Sequence, residues 1–340
     1  MIGRRGALGL LGGLAGSALL PAATLGAPVS VRPPRLRPGD TVGLVAPASA
    51  VTLPEERDRA LHWIRGMGLV PRLGAHTEDR HGYLAGTDAD RAADLNAMFA
   101  DPEIRAIFAV RGGWGSARIL PLLDWPAIRA NPKLLIGYSD TTALHCAIAT
   151  RCGFPTLHAP NAASSWEKTS WDSLWRIAFA ADVPVLGGAA VEQAVGRPAR
   201  TLMEGTARGR LLGGNLTILS TLMGTGWLPS FDGAILFLED INEDPYRVDR
   251  MLQQLGLAGV MDRVSGVVFG QCTRCDLRDP DYAGFTLDDV LNQHLGDLRV
   301  PVVTGFNTGH VRSQLALPIG VPVELDAEAR TLRMLEPAVA

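Results

Sequence analysis

The stretch Lys133-Leu-Leu-Ile-Gly-Tyr-Ser-Asp-Thr-Thr142 passes from an apolar strand to a helical pattern within three residues. A serine at so sharp a turn, Ser139, presents its hydroxyl above the end of a sheet. The N–H of the next residue then lies beneath it at a helix start. Such a donor is what an attacked carbonyl oxygen must meet as a hydroxyl adds to it. The motif is G-x-S-x-T rather than G-x-S-x-G. Ser, Asp and Thr also favour helix N-caps, so local pattern alone puts capping slightly ahead of catalysis.

Outward from this turn the chain alternates strands and helices. Residues 41–46, 106–110 and 134–136 are apolar runs of strand length, and 70–73 is short and extended. Residues 54–67, 88–99, 115–123 and 141–150 carry helical patterns. This rhythm predicts an α/β fold with a mostly parallel sheet covered on both faces. Residues 163–209, with several Trp, Ser and Gly, read as an irregular connection, and 211–223 as a turn entering a helix. Beyond them lie strands at 234–238, 264–269 and 302–304 and a helix at 246–255. The end, 321–334, alternates around a turn at 326–329, like a hairpin. The reading is an export segment at 1–27, an N-terminal α/β domain at 28–195 and a C-terminal domain at 196–340.

The 340 residues are 47% hydrophobic and 20% charged, which predicts a packed core rather than disorder. Net charge is −3 and no basic block stands out, so neither nucleic acid nor an anionic membrane surface is expected as partner. Residues 1–27 have the layout of an export signal: Arg4 and Arg5, an apolar middle over 7–20, and small residues up to Ala27. The paired arginines point to the twin-arginine route. The expected location is periplasmic or otherwise exported, with cytoplasmic as the alternative. The apolar stretch is short and interrupted by glycines, unlike a membrane span. Cys272 and Cys275 form a C-x-x-C with no second pair or paired His to complete four zinc ligands. They are expected to be an incidental pair of loop thiols, which export would allow to oxidise. No metal and no cofactor is called for.

Arg111-Gly-Gly-Trp-Gly115 follows a strand and opens a helix. Its spacing is not G-x-G-x-x-G, which disfavours nucleotide binding. Its backbone N–H groups suit half of an oxyanion hole. A serine nucleophile needs a base, and the base an orienting group. His158 and His310 are both candidates for the base. Glu239, directly after an apolar run, is the candidate orienter, with Asp240 and Glu243 as competitors.

Together these segments resemble the LD-carboxypeptidase family of serine peptidases, which also includes the microcin C immunity hydrolases. The resemblance runs from about Leu36 to Leu335. It is carried by Pro38-Gly-Asp40, Gly82-Tyr-Leu-Ala-Gly-Thr-Asp88, Arg111-Gly-Gly-Trp-Gly115, Gly137-Tyr-Ser-Asp140, Gly213-Gly-Asn-Leu216, Leu238-Glu-Asp240, Pro245-Tyr-Arg247 and Gly309-His310. It implies that Ser139 is the nucleophile, His310 the base and Glu239 the orienter. The backbone N–H groups of Gly113 and Asp140 are then the oxyanion donors. It also implies a flavodoxin-like parallel-sheet N-terminal domain, a smaller mixed α/β C-terminal domain, a site between them, a homodimer, and a murein peptide as substrate. Trp114 stands where a tyrosine is usual, at the substrate rim. The terminal carboxylate of a substrate needs a cation or a helix start. Arg111, Arg247 and Arg312 are candidates, with Asn215 a further binding candidate or a helix cap. The alternatives are a related amidase acting on another peptide or acyl-nucleotide conjugate, and an exported solute-binding protein.

Overall fold

The computed structural model describes residues 31–188, 196–276 and 282–340. The export-signal segment, 1–27, lies outside the described residues, as does part of the expected domain boundary. The first half runs β1 (Thr41–Val45), α1 (Pro54–Gly66), β2 (Val70–Leu73), α2 (Asp88–Ala100), β3 (Ile104–Ala109), α3 (Ser116–Ile119), α4 (Trp125–Ala130), β4 (Leu134–Gly137), α5 (Thr142–Arg151) and β5 (Thr156–His158). These five strands are parallel, in the order β2-β1-β3-β4-β5. That is the flavodoxin-like order, and its direction reverses between β1 and β3. Successive side chains point to opposite faces. Val45, Ile107 and Leu135 join one buried apolar cluster, and Leu44, Phe108 and Ile136 the other.

The second half contains α6 (Lys168–Leu174), β6 (Val185–Gly187), β7 (Arg200–Met203), β8 (Thr206–Asn215), α7 (Leu216–Leu222), β9 (Ile235–Ile241), α8 (Pro245–Leu257), β10 (Gly266–Thr273), α9 (Leu287–Leu295), β11 (Val302–Thr304), β12 (Leu317–Ile319), β13 (Pro322–Asp326) and β14 (Thr331–Met334). Its mixed sheet has the order β6-β14-β13-β8-β9-β10-β11-β7, with β8 to β11 parallel at its centre. The two expected domains, 28–195 and 196–340, exchange strands. Late in the chain, β12 pairs antiparallel with β5 and completes the first sheet. Early β6 pairs with β14 in the second. Leu236 and Val267 share a cluster with Val45, whereas Phe237 and Val268 share the other with Leu44. One interior therefore runs through both sheets.

Three expectations are corrected. Residues 163–209 hold α6, β6, β7 and the start of β8 rather than a plain connection. Residues 206–215 form a ten-residue strand, where the end of that connection and, from 211, a turn entering a helix were expected. Its glycines lower strand propensity, yet close backbone packing requires them. A Cβ on Gly213 would lie 1.9 Å from the Phe237 carbonyl oxygen, and one on Gly209 2.2 Å from that of Gly233. Cys272 and Cys275 are not free thiols in a loop. Cys272 lies in β10 and a disulfide joins the two, across a turn that brings their Cα atoms to 5.5 Å. Among the described residues no helix is long and apolar enough to cross a membrane.

Candidate active site

The site gathers at the C-terminal ends of the parallel strands, where α/β sheets place their chemistry. β4 stops at Gly137, and the Tyr138 N–H donates to Asn161 Oδ1 at 3.1 Å. Ser139 then takes φ = 65°, a left-handed conformation that costs a non-glycine residue on the order of 1–3 kcal/mol. Neither helical segment that follows is capped by a serine side chain. The Ser139 hydroxyl instead faces His310, with Oγ 3.0 Å from Nε2. The capping alternative is thereby set aside.

His310 comes from the loop after β11, and Glu239 from β9. His310 Nδ1 lies 2.7 Å from Glu239 Oε2. A carboxylate only accepts, so Nδ1 carries the proton and Nε2 is left to accept from Ser139. Gly309 has φ = 106°, and a Cβ there would lie 2.8 Å from Glu239 Oε2. Only glycine allows that approach. Glu239 is wholly buried. Burial pushes its carboxyl up, but the His310 charge and hydrogen bond outweigh this and hold it below the ordinary value. Burial likewise pulls the His310 imidazole down, and the Glu239 charge and hydrogen bond more than offset it, leaving it raised.

The other candidates are placed differently. His158 is fully buried, edge-on to Tyr138 and Phe237, and neither ring nitrogen has a hydrogen-bond partner. Burial first, then nearby His145 and His310, pushes it down to about 3 despite the Glu239 charge, so it stays neutral. Asp240 faces away from His310 into four donors: Asn215 Nδ2, the Thr217 N–H and hydroxyl, and the Ile241 N–H. Burial, followed by the Glu239 charge, raises it to about 6. Glu243 pairs with Arg247.

The glycine turn follows β3 and lies against the serine. A Cβ on Gly112 would sit 2.9 Å from Ser139 Cβ, and Gly113 has φ = 107°. The Trp114 N–H donates to Ser49 Oγ at 3.1 Å, which fixes the turn from the β1 side. The buried Asp140 side chain accepts the Ser116 N–H at 2.7 Å, which ties the serine turn to the start of α3. Arg91, on the buried face of α2, donates to the carbonyls of Pro47 and Gly115 and pairs with Asp88. Ser49, Arg91 and the Asp140 carboxyl were missed in the sequence. The signal for Arg91 is a guanidinium on the same helical face as Leu95, a burial that carbonyl partners must offset.

Ser139, His310, Gly112, Gly113, Arg111 and Glu56 line an open cavity of about 370 Å³. Arg111 Nη1 is held by the Ala50 carbonyl and the Glu56 carboxylate. Trp114 is exposed beside the turn. Asn215 is buried and caps α7 by accepting the Ile218 N–H, so it supports the site from below. Arg247 and Arg312 pair with Glu243 and Glu167 and do not line this cavity. A hydroxyl, an imidazole and a buried carboxylate in series form the arrangement that lets a hydroxyl lose its proton while attacking a carbonyl.

Comparison with known proteins identifies the family of the chain. Residues 42–159 match the model of the LD-carboxypeptidase N-terminal domain, and residues 208–325 that of the C-terminal domain. A Bacillus subtilis protein named probable murein peptide carboxypeptidase is 34% identical, covering 89% of this chain and 94% of its own. The microcin C7 self-immunity protein MccF of Escherichia coli is 28% identical. Its solved structure covers 91% of this chain and all of its own, with a TM-score of 0.82. A muramoyltetrapeptide carboxypeptidase structure from Oxalobacter formigenes covers 86% of this chain and 97% of its own at 27% identity, with a TM-score of 0.74. With both domain models matched in order along one chain, this protein belongs to the LD-carboxypeptidase family of serine-type peptidases.

Proposed function

We propose that this enzyme hydrolyses an L–D peptide bond and releases a terminal D-residue, D-alanine, from murein tetrapeptide. The observation that carries the reading is the unbroken series Ser139–His310–Glu239, with contacts of 3.0 and 2.7 Å. His310 takes the Ser139 proton as Oγ attacks the carbonyl carbon, then gives it to the departing amine. Glu239 holds the ring in the tautomer required and stabilises the imidazolium. The N–H groups of Gly113 and Asp140 receive the oxyanion, at about 3 kcal/mol per donor. Water then attacks the acyl-enzyme by the same route in reverse. Arg111 lines the cavity, and among the described residues only its Nη1 is engaged. Its remaining donors receive the substrate carboxylate.

The matched carboxypeptidases support the murein substrate, and the residue pattern at 1–27 supports export. In this reading the enzyme works as an exported homodimer. Murein tetrapeptide incubated with the wild type should yield free D-alanine by mass spectrometry. Ser139→Ala should yield none while keeping the wild-type circular dichroism. Full activity in that variant sinks the assignment. A second reading, an amidase acting on an acyl-nucleotide conjugate, is favoured by the likeness to MccF, one of whose structures holds glutamyl sulfamoyl guanosine. Cleavage of such a conjugate with the tetrapeptide untouched selects it. For export, Arg4→Lys with Arg5→Lys should block translocation, and unchanged export excludes the twin-arginine route.

A further inference from the structure

The loop that carries His310 is docked on the end of β10. The Gln271 N–H donates to the Thr308 carbonyl at 2.9 Å, and the Thr273 hydroxyl donates to the His310 carbonyl at 2.8 Å. Between these two contacts sits Cys272, in register with Asp240 of β9. The chain then turns sharply. Arg274 takes φ = 58°, its side chain reaches Asn242 Oδ1 at 2.6 Å, and the Thr273 carbonyl accepts the Asn242 N–H at 2.9 Å. The disulfide to Cys275 closes this turn. The residue that holds the histidine backbone, Thr273, thus lies inside a four-residue covalent ring. Both cysteines are nearly wholly buried, unlike the presented thiols of an exchange catalyst.

We propose that the Cys272–Cys275 disulfide is a positioning clamp for His310, and that opening it with a dithiol slows the chemical step. The idea rests on His310 being the general base, as set out above. In the reduction, one thiolate of the dithiol attacks a sulfur of the pair and the protein S–S bond breaks. The second thiolate then displaces the mixed disulfide. The dithiol ends as its own disulfide. Its two electrons and two protons end on Cys272 and Cys275, now thiols. Without the ring, Thr273 and its hydrogen bond to the His310 carbonyl are held less firmly. Small displacements of a base from its nucleophile cost rate rather than binding.

The test uses the full chain and two readouts: acylation of Ser139 by a fluorophosphonate, which needs the base but no peptide, and D-alanine release. Dithiothreitol treatment, with opening verified by alkylation of both cysteines, should lower the acylation rate and kcat about tenfold with KM unchanged. It should also displace the acid limb of the pH–rate profile. The C272A/C275A variant should match the reduced enzyme and ignore dithiothreitol. Thr273→Val, which keeps the disulfide, should show the same loss. Unchanged acylation after verified opening overturns the clamp, as does an equal response to dithiothreitol in C272A/C275A. A bond that dithiothreitol cannot open in the folded protein overturns the redox half, and the variants then decide the positioning half. No acylation of oxidised wild type sinks the serine-hydrolase reading itself. Acylation without D-alanine release sinks only the substrate, and the clamp is then judged on acylation.

Discussion

Ser139 combines two demands that ordinarily conflict, a strained backbone and a free hydroxyl. Ser139→Gly relieves the left-handed φ and should raise stability by about 1 kcal/mol while abolishing turnover, as read by urea denaturation and D-alanine release. Glu239→Gln keeps the shape of the carboxylate but lets the imidazole take the wrong tautomer. Its kcat should fall about 10⁴-fold. The His310 value is raised, and the base works only when neutral, so kcat/KM should fall on the acid side of a pH above the ordinary 6.5. Removing the Glu239 charge should move that limb to lower pH. The raised His310 stabilises the fold fully below the unfolded 6.5, and this is lost as pH rises through its folded value. The depressed Glu239 contributes above the unfolded 4.5, and this is lost as pH falls through its folded value. In the sequence, Ser139 alone favoured a cap. Local pattern could not separate His158 from His310, because the contacts that decide between them span 71 and 171 residues, and only the family resemblance singled out His310.

At the level of elements, apolar runs made β1, β3, β4 and β9 legible, since strands buried on both faces need little else. β8 was not legible, because its glycines are set by the backbone of β9 rather than by its own propensity. Gly213→Ala should therefore push β8 away from the strand that carries Glu239. We expect a loss of about 3 kcal/mol in chemical denaturation, together with most of the activity. Gly66→Ala is the control. That glycine ends α1 with open space around its Cβ position, and the change should stabilise by about 0.5–1 kcal/mol with activity intact. The α3 region illustrates the converse error. A helical pattern over 115–123 stops at Ile119 because Pro121 cannot donate to a continuing helix, and a tighter turn follows.

Across the whole molecule, the series Glu–His–Ser joins two sheets that share one interior. Residues 28–195 expressed alone lack β12, and residues 196–340 lack β6. Each fragment should remain unfolded by circular dichroism and yield to protease where the full chain resists. Two sheets were foreseeable from the rhythm of the chain. The exchange of strands between the two expected domains was not, because β6 and β12 are three residues each and carry too little pattern to announce a partner. The exchange also bears on when the enzyme comes into being. On the ribosome, β5 remains an open edge until residues 317–319 emerge, shortly after His310 itself. Synthesis order and assembly order therefore oppose each other. The nascent chain has no complete first sheet and no base for its serine until residues 310–319 have left the ribosome, so the hydrolase cannot become active before they do.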